Sequence, residues 1–163
     1  MLKIIGEAPF SDVSIETSDY VPFKFQFSDE GTSPHLYWRT GDLVSTMFEI
    51  SIDRDSGRIV GGSLLLPGRV GRTFPELAGL NNVSSGAPVV STNGWPEDRY
   101  MDDASPIRIF ADSSNLLILF SSEQSAAHSI ASNNIIFGIS ESRSLEWILV
   151  SNLSKEQAAQ LCA

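Results

Sequence analysis

From Val44 to Leu66 the chain carries two apolar runs hinged on a tight turn, and this pattern narrows the possible folds more than any other. Phe48, Ile50 and Ile52 fall on one side of the first run, with Glu49 and Ser51 on the other. Successive side chains of a strand point to opposite faces, so this alternation describes a half-buried strand. Arg54, Asp55, Ser56 and Gly57 follow, and then a second apolar run from Arg58 to Leu66. Asp55 and Ser56 suit a tight turn and Gly57 supplies positive φ, so the segment is predicted to be a β-hairpin.

The same period recurs. Val21, Phe23, Phe25 and Phe27 alternate with Pro22, Lys24 and Gln26. Pro22 has no N–H for a ladder, which places it near a strand start or on an edge. Ile107–Ala111 and Leu116–Phe120 flank Asp112, Ser113, Ser114 and Asn115, while Asn134–Ile139 and Leu145–Val150 flank a loop at 141–144. Both pairs read as further hairpins. Between them, residues 123–132 set Ala126, Ala127, Ile130 and Ala131 at helical spacing, although several serines dilute the pattern. Near the C-terminus Ser154 and Gln157 form the two halves of a capping box, with Leu153 and Ala158 placed as a hydrophobic staple, and a short helix to Leu161 is expected. Five prolines and several glycines make residues 67–106 mostly loop with short extended pieces. The expected class is therefore α+β, mainly β. Antiparallel sheets come from successive hairpins, with one or two short helices, all within a single domain over residues 1–163.

Composition excludes several functions. Eleven Lys and Arg against twenty Asp and Glu give a formal charge of −9, a field that repels nucleic acid and anionic membranes and attracts basic partners. Runs such as Leu116–Phe120 fall far short of the roughly 20 apolar residues of a membrane helix. The first ten residues lack the apolar core of a secretory signal, which suggests a cytoplasmic protein. One cysteine, Cys162, permits no internal disulfide and reads as a small apolar residue of the last helix.

No cofactor is expected. His35, His128 and Cys162 have no zinc-ligand spacing. Asp53 and Asp55 resemble the start of a calcium loop, but Gly57 stands where the third oxygen ligand belongs. His128 has no nucleophile elbow near it. Gly61–Gly62 and the stretch from Gly68 to Gly71, with Arg69 and Arg72, lack the fingerprint of a phosphate loop. Carboxylate pairs such as Glu97–Asp98 and Asp102–Asp103 would serve acid–base chemistry only if they faced each other across a cleft.

Residues 93–103 are the most informative stretch. They combine Trp95, Arg99 and Tyr100, types enriched at binding hot spots, with Glu97, Asp98, Asp102 and Asp103. Such a segment either tucks its aromatics onto the core or offers them to a partner. Asp29 and Glu30 form a second acidic spot.

The stretch from Leu36 to Leu43, followed by Phe48–Asp53 and Ser56–Ile59, resembles a pattern in bacterial immunity proteins that neutralise contact-dependent and other polymorphic toxins. That pattern is an aromatic and glycine lead-in, an acidic-ended strand, a tight turn and a return strand. The run from Phe137 to Val150, closing on Leu153–Ser154, is similar to the ends of those proteins. The resemblance implies a non-enzymatic inhibitor that binds a cognate, basic toxin domain, such as a nuclease, and occludes its active site. Residues 93–103, with Asp29 and Glu30 as the second choice, are the expected interface. Two other classes remain open on the residues alone: a small carboxylate-dependent enzyme, and a ligand-binding or structural β-domain that holds sugars on its tryptophans.

Overall fold

The computed structural model describes residues 1–122 and 125–162. The first half of the chain supplies β1 (Ile4–Ala8), β2 (Val13–Glu16), β3 (Phe23–Phe27), β4 (His35–Gly41), β5 (Thr46–Asp53) and β6 (Ile59–Pro67). The proline-rich middle contributes β7 (Val70–Gly71), β8 (Val83–Ser85), β9 (Ala87–Val90) and β10 (Tyr100–Ala104). The last third holds β11 (Arg108–Ala111), β12 (Leu116–Leu119), β13 (Ala126–Ser132), β14 (Ile135–Ser140), β15 (Leu145–Val150) and one helix, α1 (Lys155–Leu161).

These strands form a six-stranded sheet in the order β10-β4-β5-β6-β3-β2, a seven-stranded sheet in the order β7-β11-β12-β15-β14-β13-β8, and the pair β1-β9. Neighbours are antiparallel except β10 with β4, β11 with β7 and β13 with β8. The three hairpins read from the sequence are present as β5–β6, β11–β12 and β14–β15.

The two large sheets meet through aromatic rings. Phe25 lies 6.2 Å from Phe137, and Phe120 takes Trp38 at 5.5 Å and Phe48 at 5.7 Å. Phe23, Phe25 and Phe27 are all buried, while Lys24 and Gln26 between them keep one side toward water. The run Leu116–Leu119 is buried on both faces. Its outer side is covered by the segment that carries Phe74 and Leu77, which packs on Leu117, Leu119 and Trp147. A strand covered twice has no wet face, and for that reason it reads as a continuous apolar run.

The β5–β6 turn is fixed by Asp53, whose carbonyl accepts from Gly57 N at 2.8 Å. Gly57 has φ of 74°, and a Cβ there would lie 2.5 Å from the Val90 carbonyl oxygen. Gly57→Val is therefore expected to cost about 2–3 kcal/mol, combining left-handed backbone strain with overpacking. Chemical denaturation would measure it, and a cost near zero would mean that the turn does not need positive φ.

The helical reading of residues 123–132 does not hold. Ala126–Ser132 is strand β13, and Glu123 and Gln124 lie outside the described residues. A bulge between Ala126 and His128 breaks the period of two, so Ala126, Ser129 and Ile130 are buried at a spacing that imitates a helix. Two of the three serines that diluted the helical pattern, Ser129 and Ser132, are buried, while Ser125 is exposed. Ser129 Oγ donates to the Gly79 carbonyl at 3.0 Å, and Ser132 Oγ donates to that of Gly86. The only helix among the described residues is α1. Its capping box is complete, with Ser154 Oγ accepting from Gln157 N and Gln157 Oε1 accepting from Ser154 N.

Candidate functional site: an acidic strand edge

Residues 93–103 are half loop and half strand. Their second half enters β10, which runs parallel to β4 at the end of the six-stranded sheet, with Tyr100 opposite Tyr37 and Asp102 opposite Arg39. The loop half is folded back by its own hydrogen bonds. Arg99 N donates to the Pro96 carbonyl at 3.0 Å, and Asp98 Oδ1 accepts from Tyr100 N at 3.2 Å. The Arg99 carbonyl takes two donors, Tyr37 N at 2.9 Å and Trp95 Nε1 at 3.0 Å.

Of the two aromatics in this segment, Trp95 is turned in. It is half-buried, packs against the core with Met101, and has its indole N–H satisfied. Tyr100 is the exposed one, at 37%. Its ring stacks on Tyr37 with centroids 5.0 Å apart and planes 17° from parallel, and the Arg39 guanidinium lies 4.5 Å over it. Stacked rings lose little rotamer freedom when a partner covers them, so the pair is a rigid surface.

The four carboxylates divide into two kinds. Arg39 binds Asp102 through Nε at 2.6 Å and Nη2 at 3.0 Å, and this bond raises the guanidinium's already high pKa. Asp103 receives the Met1 amino group at 2.8 Å and the Ser105 hydroxyl at 3.1 Å. Burial alone would raise the Asp103 pKa, but these partners outweigh it and hold the group below the ordinary aspartate value. Glu97 and Asp98 are exposed, and among the described residues neither joins an ion pair. Steering charge at this edge therefore rests on Glu97 and Asp98, not on all four groups equally.

Beside β10 a groove of about 330 Å³ opens, with Leu2, Lys3, Trp95, Met101, Asp102 and Asp103 in its walls. Lys3 is held to one side, its Nζ donating to Ser144 Oγ at 2.7 Å and to the Ser142 carbonyl at 3.3 Å. The groove is lined by apolar side chains together with two cationic groups, Lys3 and the Met1 ammonium, and two carboxylates.

The outer face of the same sheet continues from Tyr37 into a second concavity of about 310 Å³, where Gly61 leaves a dent beside Gln26, His35, Tyr37, Glu49 and Ser51. Burial raises the pKa of Glu49, although Arg39 opposes the shift. Glu30 lines this concavity, and its carbonyl meets His35 Nε2 at 3.0 Å. Asp29 is engaged, taking Arg58 Nη2 at 3.1 Å and Gly31 N at 3.0 Å on its carboxylate. Tyr37, Arg39 and Glu49 were not singled out from the sequence. Period-two alternation marks them as wet-face residues, but only the register of β4 against β5 and β10 brings them together.

Among the described residues no three His, Cys, Asp or Glu side chains gather as a metal site. Cys162 is half-buried beside the Asp112 carbonyl. No helix of the described residues is long and apolar enough to cross a membrane. No family model matches this chain, and no curated protein matches it at a significant level.

Proposed function

We propose that this protein is an immunity-type inhibitor, which binds a basic toxin domain and covers its active site or substrate groove. The observation that carries the reading is the strand edge just described. It places two carboxylates that lack a cationic partner, Glu97 and Asp98, beside a rigid exposed tyrosine stack and a groove, on a chain of net charge −9. Unpaired charges accelerate encounter with a partner of opposite sign, while desolvated aromatic and apolar groups hold it. A basic nuclease domain is the chemistry that suits this surface best, since its substrate groove must itself attract a polyanion.

The tryptophans favour the sugar-platform alternative less. Trp38 and Trp147 are buried, and Trp95 is half-buried in the groove wall with its indole N–H bonded inward, so at most one tryptophan could meet a sugar.

The test begins with a basic toxin domain encoded beside the gene. Co-expression should restore growth of cells that make the toxin. The double variant Glu97→Ser/Asp98→Ser should then associate about tenfold more slowly at low salt, a difference that shrinks as salt is raised. Failure to neutralise the domain would remove the immunity reading, and an unchanged low-salt rate would remove this edge from the steering surface.

A further inference from the structure

We infer that the partner is held by strand addition: an extended, lysine- or arginine-bearing segment of the toxin domain pairs with the open margin of β10, next to Glu97 and Asp98. This inference rests on the proposed function and specifies how the binding is done.

The ends of the two large sheets are not alike. On β2 the Ile15 carbonyl accepts from Gln157 Nε2 of α1 at 3.3 Å, so the helix closes that margin. β7 and β8 are only two and three residues long. Short strands and covered margins are the usual ways a protein prevents unwanted pairing. β10 has neither protection. It is five residues long, and among the described residues no backbone group pairs with the side opposite β4.

The orientation of its backbone follows from a single contact. The Arg99 carbonyl reaches β4 at Tyr37 N, and in a ladder successive residues turn their N–H and C=O to opposite sides. Met101 and Asp103 therefore face β4, whereas Tyr100, Asp102 and Ala104 face outward. All three outward residues are exposed. The Tyr100 N–H is already taken by Asp98, which leaves the N–H and C=O of Asp102 and the N–H of Ala104 for an incoming strand.

Charge selects the occupant. A second copy of this chain would set Glu97, Asp98 and Asp102 against their own kind, and like charges facing each other across strands are unfavourable. A basic segment meets the opposite sign. The groove beside this margin adds no net charge, because Met1 and Lys3 line it together with Asp102 and Asp103, so the charges that select the occupant are Glu97 and Asp98. One ammonium group, that of Met1, is already seated against Asp103.

The probe is an acetylated, amidated nine-residue peptide that alternates lysine and threonine, titrated into the ¹⁵N-labelled protein. The expected result is movement of the Asp102 and Ala104 amide signals and slower exchange of both amides. Methylating the peptide's backbone nitrogens along one edge keeps every charge but removes the donors, and should weaken binding about tenfold. Ala104→Pro deletes one outward N–H without touching the β4 side and should do the same. Equal binding by the methylated peptide overturns strand addition and leaves a charge-only interface, with the proposed function intact. Signal changes confined to the outer face around Glu49, or a dimer of the protein joined through β10, also overturn it. If the peptide adds to β10 as expected but the protein does not neutralise the neighbouring toxin domain, the identity of the partner is what fails.

Discussion

Phe25→Ala is expected to cost about 3–5 kcal/mol, the range found when a buried aromatic is removed and its cavity refills only in part. In a chain of this size that lowers the melting temperature by on the order of 10 °C or more. Phe25 is fully buried, and its ring touches the rings of Phe23, Phe27 and Phe137, the last on the opposite sheet. Gly62 has no side chain because a Cβ there would come within 2.5 Å of the Phe25 ring, so the backbone of β6 is shaped around this one residue. Lys24→Ala, one position away on the wet face, is the control and should stay within about 0.5 kcal/mol of the parent. Similar melting temperatures for the two variants would show that Phe25 is not where the sheets meet.

Asp53→Ala should be nearly as damaging, at about 3 kcal/mol, because a buried carboxylate there organises two loops at once. It accepts from the Ser33 hydroxyl on one oxygen, and on the other from Ser56 Oγ at 2.6 Å and Ser56 N at 3.2 Å. Hydrogen bonds to a charged acceptor contribute roughly 1.5–3 kcal/mol each, although water can replace part of the loss at Ser56, which is exposed, and at Ser33, which is half-buried. Burial by itself would raise the Asp53 pKa, yet the serine hydrogen bonds prevail and hold it below the ordinary value of 3.8. A carboxylate whose pKa is lower folded than unfolded stabilises the protein above the unfolded value, and that contribution fades as pH falls through the folded value. Asp29, Asp42, Asp103 and Asp112 are shifted the same way, while Glu49 is shifted upward and gains slightly as pH falls toward 4.5. Stability should therefore hold near pH 5 and drop below about pH 4. Asp53→Asn should flatten that drop; denaturation curves of the same steepness in the acid range for both proteins would show that Asp53 has no part in it.

The sequence showed its hairpins because each is written locally. Alternating phenylalanines at 23, 25 and 27, Asp55–Gly57 between two apolar runs, and Ser154 three residues before Gln157 each carry their own geometry. What it concealed depends on distant partners. Nothing local states that Tyr100–Ala104 lies against His35–Gly41, so Tyr37 and Arg39 had no visible connection to the acidic segment. The same limit made Trp95 and Tyr100 look equivalent, although one hydrogen-bonds inward and the other stacks outward. Residues 126–132 misled for a different reason: one bulge shifts the buried positions onto a spacing that belongs to another structure.

The order of strands in the seven-stranded sheet also bears on how the chain is made. β12 takes β15 as its inner neighbour, and β14 pairs with β15 on the other side, so the centre of that sheet is completed by a strand that comes later in the chain than β12. During synthesis Leu116–Phe120 leaves the ribosome about 30 residues ahead of its partner, which at about 5–20 residues per second is an interval of roughly 2–6 s. For that interval a wholly apolar strand has only its β11 hairpin to pair with. The six-stranded half, complete apart from its β10 margin once residue 67 has emerged, is the surface on which the nascent strand can shelter, and ribosome-bound chaperones have their clearest task in those seconds.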